Sequence, residues 1–395
     1  MARMVDFPMF DADNHYYEAT DAFTRHLDPS MRKRTMQWAE VDGRTRLLVG
    51  GRVNRFIPNP TFGAVSKPGV LADYFRAKAG VGDMRASLGE LEPIETRPEY
   101  RDKEARLAVM DRQGIESTIM LPTLGVGMEA ALEHDPEALV AAFTAFNRWL
   151  LEDWGYNHGD RIYGAPYITL VDPDRAVAEL DHALDHDARV VLVRPGPVAA
   201  PGGRTTPGDP RHDGFWARLN EAGITLVIHG GDSSYATYEQ MWGLSGEVEA
   251  FRTGPLKRLL SASPIRDTMA SLIADKVFER FPNVRVATIE TGSDWVAPLL
   301  KKLQSISIQM PGEFAHDPYE LFLEHVWVSP FFEDDVYALV EQVGSSRVVF
   351  GSDFPHVEGL AEPVSFAKEI DRLPDADVRQ IMRDNGRELV TARGR

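Results

Sequence analysis

From residue 101 onward, short apolar runs alternate with longer amphipathic segments. Runs such as 190–193 (VVLV) and 224–228 (ITLVI) are continuous in β-branched and aliphatic residues, a pattern typical of strands buried on both faces. The longer segments carry apolar residues at helical spacing, and Gly114 and Gly223 stop two of them,. Besides a first strand that runs into Asp11, the pattern predicts strands at 117–121, 162–169, 189–194, 224–228, 284–289, 325–329 and 347–352, and helices at 104–113, 136–154, 173–187, 214–222, 265–280, 293–303, 335–343 and 376–390.

Counting the first strand, each strand is followed by helical material. Alternation of this kind indicates a parallel sheet covered by helices, and eight units favour a closed (β/α)8 TIM barrel in an α/β fold. A doubly wound open sheet is the alternative, and it is disfavoured because no Gly-x-Gly-x-x-Gly motif follows the first strand,. We therefore expect residues 1–395 to form one barrel domain.

Residues 20–100 do not follow this pattern. The runs 45–49 and 52–57, joined by Gly50-Gly51, read as a β-hairpin, and prolines and glycines interrupt the chain through Val70,. Because this stretch is too long for an ordinary connection, we interpret 20–100 as an inserted lid or subdomain. Together with the loop 230–263, it is predicted to roof the mouth of the barrel.

Polar side chains collect where the predicted strands end. Asp13 and His15 end the first strand, and later strands end at Arg194, His229, Glu290 and Asp353. The carboxyl ends of barrel strands converge on one face, so residues far apart in sequence are expected to be neighbours there. A lone histidine at a strand end is more often structural, but several metal-capable residues together favour a metal site. Two nitrogen and two oxygen donors suit zinc, manganese, iron or cobalt better than magnesium or calcium.

Three motifs carry a resemblance to a known family. They are Asp11-x-Asp13-x-His15, Leu226-Val-Ile-His229-Gly-Gly and Gly351-Ser-Asp353-Phe-Pro-His356, supported by Arg194-Pro195, Phe281-Pro-Asn-Val-Arg285 and Arg383-Asp-Asn385. Over residues 10–390 the chain resembles the amidohydrolase superfamily. The closer similarity is to the amidohydrolase-related branch that includes aminocarboxymuconate semialdehyde decarboxylase and the hydroxybenzoate decarboxylases.

The resemblance implies one divalent metal ion held by Asp13, His15, His229 and Asp353, with zinc preferred and manganese or iron as alternatives. Asp353 and Glu290 are the candidate catalytic residues. Two departures bear on the reaction: Asp13 stands where many members have His or Glu, and Glu290 stands where the decarboxylases have a histidine. The remaining candidates are for substrate binding: Arg194, Glu18, Trp295 and His356.

Two reactions fit these residues. The first is non-oxidative decarboxylation of a small aromatic or unsaturated carboxylate, for which Arg194 could bind the carboxylate. The alternative is hydrolysis of an amide, ester or lactone by a water activated at the metal, and the loss of the family histidine at Glu290 favours it. A barrel that only binds a ligand is the third reading, and the complete ligand set disfavours it.

The composition of the chain excludes some classes of chemistry and of binding partner. The chain has 395 residues, a formal net charge of −17 and no cysteine, which excludes disulfides and thiolate chemistry and disfavours nucleic acid as a partner,. The sequence lacks an apolar run of about 18 residues and a recognisable signal segment. We therefore expect a cytoplasmic enzyme with a small-molecule substrate and no membrane partner, and a homodimer remains open.

Overall fold

Two parallel sheets form the centre of the structure. The computed structural model describes residues 5–76, 84, 88–245, 254–260 and 263–392. One sheet has the strand order β1-β7-β8 and the other the order β14-β13-β12-β9. In chain order the strands are β1 (Met9–Tyr16), β2 (Met36–Val41), β3 (Arg44–Val49), β4 (Arg52–Val53), β5 (Ala64–Val65), β6 (Glu92–Pro93), β7 (Ile115–Pro122), β8 (Ile162–Gly164), β9 (Val190–Val193), β10 (Val198–Ala200), β11 (Gly203–Thr205), β12 (Thr225–His229), β13 (Arg285–Ile289) and β14 (Val326–Val328).

Backbone contacts connect the two sheets at both ends. At one end Ile168 N donates to Leu192 O at 2.8 Å, next to a parallel bridge between Tyr167 and Leu192. At the other end, the segment 348–354 lies between β14 and β1. It forms parallel bridges from Val348 to β14 and from Phe354 to β1. All residues of β1, β9, β12, β13 and β14 are buried, as expected for a parallel sheet that is covered on both faces.

Helices follow the strands in the predicted order, which confirms a mixed α/β fold. Several caps match the sequence signals: the carboxylates of Asp102, Asp135 and Asp172 each accept a hydrogen bond from a backbone N–H in the first turn,. The longer helices after residue 100 are Lys103–Gln113, Pro136–Asp153, Pro173–Asp185, Asp213–Ala222, Pro264–Ala274, Val296–Gln309, Pro318–His325 and Val336–Val343. The chain then closes with Asp375–Arg379, the π-turn Gln380–Asp384 and Asn385–Val390.

Three predicted elements differ from the structure. The predicted helix 265–280 is two helices, because Lys276 adopts a left-handed conformation with φ 60° between Pro264–Ala274 and Val277–Arg280. The predicted strand 162–169 is shortened to β8 and a single bridge at Tyr167. The predicted strand 347–352 begins as a 3-10 turn, Ser345–Arg347, and pairs with its neighbours through isolated contacts.

The hairpin predicted within 20–100 is present, but its second strand, predicted at 52–57, is only Arg52–Val53. Strands β3 and β4 pair antiparallel, with β2 added on the other edge of β3. The insertion contacts the segments that follow two central strands: Asn54 Nδ2 donates to Gly127 O at 3.3 Å, and Gly69 N donates to His356 O at 3.1 Å. Part of the predicted roof, residues 77–83, 85–87, 246–253 and 261–262, lies outside the described residues. In the part of the chain that is described, no helix is long and apolar enough to cross a membrane.

Candidate metal centre

Strand β1 delivers two donors from one stretch of backbone. Asp13 and His15 are both buried, and their side chains meet, with Asp13 Oδ1 3.1 Å from His15 Nε2. The pairing of β1 with β7 shifts between Asp11 and Asn14, so the simple alternation along the strand breaks there. As a result Asp11 does not serve as a third donor: its carboxylate accepts from Ser352 N, Ser352 Oγ, Asn14 Nδ2 and Asp13 N.

His229 and Glu290 come from the ends of the neighbouring strands β12 and β13. His229 Nε2 lies 3.0 Å from Glu290 Oε2. Glu290 follows β13 in a left-handed conformation with φ 49°, which turns the backbone out of the sheet. Gly230 permits this approach, because a Cβ on residue 230 would lie 2.3 Å from Glu290 O. The two strand ends therefore present an imidazole and a carboxylate to the same space.

These four residues form what we call the donor cluster: Asp13, His15, His229 and Glu290. One ligand atom from each lies within 4.8 Å of the others. Their closest contacts run from 3.0 to 3.8 Å, and two ligands about 2.1 Å from one ion lie about 3.4 Å apart in tetrahedral geometry. His229 Nε2 and Glu290 Oε2 are buried and make no hydrogen bond within the described residues. Two converging donor atoms that make no hydrogen bond, beside the hydrogen-bonded Asp13–His15 pair, fit a divalent metal ion.

Asp353 lies beside the donor cluster. Its Oδ1 is 3.5 Å from His15 Nε2 and accepts a hydrogen bond of 2.5 Å from His356 Nδ1. His356 is held in turn by Thr123, whose Oγ1 is 2.9 Å from its Nε2, and its ring packs on His15 with centroids 4.0 Å apart. His15, Glu290, Asp353 and His356 form a second set of mutually close donors. Asp353 can thus bind the same ion or exchange a proton with a group bound to it.

The electrostatics of the cluster favour positive charge. Although burial opposes an imidazolium, Glu290 and Asp13 raise the pKa of His229 to about 10. Burial, together with repulsion from Glu290, raises the pKa of Asp353 well above its usual value. Burial and the neighbouring His15 lower the pKa of His356 to about 3, which keeps that ring neutral. Carboxylates that draw protons onto buried imidazoles are equally suited to a divalent cation.

A buried network of polar side chains supports the strand that carries Asp13 and His15. Arg106 is fully buried; its guanidinium donates to Asn14 Oδ1, to His15 O at 2.8 Å and to Glu99 O at 2.7 Å. Asn14 in turn donates to Asp11 Oδ2 at 2.9 Å. The network links β1 to Ser352, the neighbour of Asp353. The sequence patterns did not identify Arg106 or Asn14. For Arg106 the available signal was a charged residue on the apolar face of an amphipathic helix.

The predicted substrate-binding residues lie in different surroundings. Arg194 is buried, and its guanidinium contacts Glu133, Glu129 Oε1 at 3.3 Å and Ser234 Oγ at 2.7 Å. The Glu18 carboxylate accepts from Leu124 N and Gly125 N at 2.9 Å. Trp295 is buried and donates from Nε1 to Gly292 O at 2.9 Å. Their roles in substrate binding stay predictions; the structure occupies their polar groups with protein partners.

A cavity of about 190 Å³ adjoins the donor cluster. We call it the aromatic pocket. Its walls come from the ends of several central strands and from the insertion. The lining residues are apolar or acidic except for two serines and are Asp13, Phe75, Glu290, Ser329, Pro330, Phe331, Phe332, Glu333, Gly351, Ser352, Asp353, Glu358 and Gly359. The pocket gives a small ligand access to Asp13, Glu290 and Asp353.

A parallel α/β fold with histidine and carboxylate donors at its strand ends is typical of enzymes of the amidohydrolase superfamily. The family model described as Amidohydrolase matches residues 10–391, and the chain belongs to this family. No curated protein sequence matches the chain. Among solved structures, the chain is similar to an amidohydrolase from Mycobacterium avium subsp. paratuberculosis K-10, with 44% identity and a TM-score of 0.93 over 98% of this chain and 100% of that chain.

More distant structures share the fold. A dihydroxybenzoic acid decarboxylase from Polaromonas sp. JS666, with bound manganese, has 16% identity and a TM-score of 0.57 over 82% of this chain and 97% of that chain. A 5-carboxyvanillate decarboxylase from Novosphingobium aromaticivorans DSM 12444, complexed with manganese, has 15% identity and a TM-score of 0.58 over 98% and 96% of the two chains. At such identities the likeness concerns the fold.

Proposed function

We propose that the chain is a divalent-metal-dependent hydrolase of a small amide, ester or lactone, built on a closed (β/α)8 barrel. The contacts that join the two parallel sheets at both ends support the barrel. The observation that carries the function is the convergence of four donors, of which Asp13, His15 and His229 are buried and Glu290 is half-buried. Two donor atoms, His229 Nε2 and Glu290 Oε2, make no hydrogen bond within the described residues. Zinc suits two imidazoles and two carboxylates, and manganese is the alternative because it is bound in two fold-related decarboxylases,.

In this proposal Asp13, His15, His229 and Glu290 hold the ion. A bound divalent ion supplies Lewis-acid polarisation of a carbonyl group and activates water for attack. Asp353 takes the proton of the attacking water and later delivers it to the leaving group. His356 orients the Asp353 carboxylate through the 2.5 Å hydrogen bond and is itself oriented by Thr123. The insertion, which contacts His356 through Gly69, would restrict the access of bulk water as a lid.

Two observations favour hydrolysis over decarboxylation. Arg194, the arginine expected to bind a substrate carboxylate, has its guanidinium occupied by Glu129, Glu133 and Ser234. The cavity beside the donor cluster is lined by acidic and apolar residues in the described part of the chain. An anionic substrate would be repelled there, whereas a neutral carbonyl compound would not.

Non-oxidative decarboxylation is the second candidate. It is supported by the fold shared with several decarboxylases, and a metal ion can itself bind a carboxylate. In that reaction Asp353 would protonate the carbon that loses carbon dioxide. Its raised pKa is compatible with a proton donor.

Metal content and a paired substrate screen test this proposal. Purified wild type should carry about one equivalent of zinc or manganese by plasma mass spectrometry, and chelation should abolish ester and amide hydrolysis until the metal is restored. His229→Asn should lose the metal, while His158→Asn, whose ring hydrogen-bonds Glu104 near the surface, should keep it. If the enzyme released carbon dioxide from aromatic carboxylates and hydrolysed no ester or amide, decarboxylation would be the function and the hydrolase proposal would be wrong. A wild type that binds no divalent ion would overturn the metal centre.

A further inference from the structure

The aromatic pocket has two chemical characters. Phe75, Phe331 and Phe332 bring three aromatic rings to its walls. At about 190 Å³, the cavity accommodates one substituted six-membered ring rather than a fused or extended ligand. Phe332 is buried, while Phe331 is 38% exposed, so the pocket is open on the side of Phe331. The walls therefore suit a flat or compact apolar group.

The polar lining is acidic. Glu333 and Glu358 join Asp13, Glu290 and Asp353 around the cavity, and no arginine or lysine of the described chain lines it. Arg76, whose guanidinium lies 4.3 Å from the centre of the Phe332 ring, is paired with Glu369 at 2.9 Å. A divalent ion in the donor cluster would neutralise two of the five carboxylates, which leaves Asp353, Glu333 and Glu358 to face a ligand in the cavity.

Glu358 is the acid that nothing in the proposed reaction uses. Its Oε2 atom is buried and has no hydrogen-bond partner within the described residues. A buried carboxylate oxygen without a partner is unfavourable unless a ligand or water supplies one. Because Glu358 lines the cavity together with the phenylalanines, a ligand in the cavity can reach it.

We propose that the aromatic pocket binds a positively charged group of the substrate, a single-ring or similarly compact organic cation, with Glu358 as its counter-ion. This inference rests on the proposed function, because it places the cation beside the carbonyl group that the metal centre would act on. Aromatic faces combined with carboxylates are the chemistry that recognises ammonium and pyridinium ions. The substrate class is thus an amide, ester or lactone that carries a cationic substituent.

Three probes of similar shape and different charge test the pocket. N-methylpyridinium, toluene and benzoate share a six-membered ring with one substituent, and N-methylpyridinium can neither coordinate a metal nor be hydrolysed. Titration calorimetry on the full-length, metal-loaded chain should show N-methylpyridinium binding at least about tenfold more tightly than toluene. Benzoate is compared on the metal-free chain, where it cannot coordinate the ion, and should bind more weakly than either. Benzoate as the tightest probe on the metal-free chain, or equal affinities for the cation and toluene, would overturn the inference.

Two variants test whether the preference for the cation arises in the aromatic pocket. Glu358→Gln should weaken N-methylpyridinium binding by about five- to tenfold and leave toluene unchanged. Phe331→Leu should keep the apolar volume and weaken the cation more than toluene. Glu362→Gln, an exposed acid outside the pocket, is the matched control and should change neither. A cation preference that survives both pocket variants would refute the assignment to this cavity.

The test of the aromatic pocket can succeed or fail independently of the test of the proposed function. The three probes report binding without turnover, so they can be measured on metal-free chain as well. Loss of the metal centre with intact cation preference would remove the hydrolase and keep the pocket. If the metal-loaded chain is an active hydrolase but its metal-free form prefers benzoate, the proposed function stands and this inference is wrong.

Discussion

At the scale of single residues, two carboxylates of the site share an uncommon backbone conformation. Glu290 and Asp353 both have left-handed conformations, with φ of 49° and 56°. Residues other than glycine rarely adopt this region, and each instance costs about 1–3 kcal/mol. Both carboxylates face the donor cluster, so the conformation directs their side chains to where a metal ion would lie. Six further described residues other than glycine, among them Asp160 and Lys276, share this conformation, so it is not confined to the site.

The first prediction concerns Glu290. Glu290→Gln keeps the shape of the side chain and removes the charge that lies 3.0 Å from His229 Nε2. Because a neutral amide is a poorer ligand, we expect metal affinity to fall by at least about tenfold, measured by competition with a chelating dye. Glu341→Gln, an exposed acid, is the control. Full metal affinity together with a loss of turnover would assign Glu290 to proton transfer instead.

The second prediction concerns Gly351. A Cβ at residue 351 would lie 2.5 Å from Asp13 Cβ and 2.8 Å from Ser329 Oγ, so Gly351→Ala must displace Asp13. We expect a loss of unfolding free energy of about 1–3 kcal/mol and weaker metal binding, measured by urea denaturation and metal titration. Gly254→Ala, where a Cβ meets no atom within 4 Å, should change neither. Unchanged metal affinity in Gly351→Ala would show that Asp13 is not held by this contact.

At the scale of elements, β1 is the strand on which the site depends. The register shift between Asp11 and Asn14 sends the Asp11 carboxylate to Ser352 and the Asn14 amide to Asp11 and Arg106. A regular strand would place these side chains differently. The helix Lys103–Gln113 therefore contributes to the metal centre through Arg106, although it presents no donor of its own.

The third prediction removes this support. Arg106→Met keeps the length of the side chain and leaves Asn14 Oδ1, His15 O and Glu99 O without their donor. Buried acceptors that lose a charged donor cost about 1–3 kcal/mol each, so we expect about 3 kcal/mol or more of lost stability by urea denaturation. Arg112→Met, on the exposed side of the same helix, is the control and should lie within about 0.5 kcal/mol of wild type. Equal stability of both variants would contradict the role of the network.

At the scale of the whole molecule, two parallel sheets carry the donors to one edge. β1, β12, β13 and the segment before Asp353 run parallel, so their carboxyl ends lie on the same side. The donor cluster spans residues 13–290 in the chain, yet its ligand atoms lie within 4.8 Å of one another. Residues of the 20–100 stretch reach the same side, where Gly69 N and Leu71 N donate to His356 O and Val357 O.

The fourth prediction concerns acid stability and a buried histidine away from the site. Burial lowers the pKa of His212 to about 4, below the value of about 6.5 expected in the unfolded chain. Between these pH values the unfolded state binds a proton that the folded state does not, so unfolding free energy falls as pH drops from about 6.5 to 4. Above this window His212 is neutral in both states and contributes no pH dependence.

His212→Asn removes the titrating ring. We therefore expect the difference in unfolding free energy between pH 7 and pH 4.5 to be smaller in this variant than in wild type. The measurement is urea denaturation at both pH values. His316→Asn, an exposed histidine, should behave as wild type. An unchanged pH dependence in His212→Asn would show that other groups govern the acid sensitivity.

Local pattern alone determined the order of elements and the main donors. Buried strands and amphipathic helices follow from apolar periodicity, which acts within about ten residues, and the strand ends at Asp13, His229 and Glu290 identified the candidates. The irregular pairing of the 347–352 segment was not predictable from local pattern. The backbone N–H of Ser352 donates to the carboxylate of Asp11, which lies more than 300 positions away in the chain. Tertiary structure also decided the partners of Arg194, since Glu129 and Glu133 reach it from a separate helix and turn.

The pocket beside the donors was likewise a tertiary result. Phe331 and Glu358 follow different strands, and nothing in their local sequence distinguishes them from ordinary loop residues. They share a cavity because parallel strands end at one edge and the loops beyond those ends pack against each other,. Short sequence motifs thus identify the donor residues. The shape and charge of the cavity that a substrate would enter depend on contacts between loops that are distant in the chain.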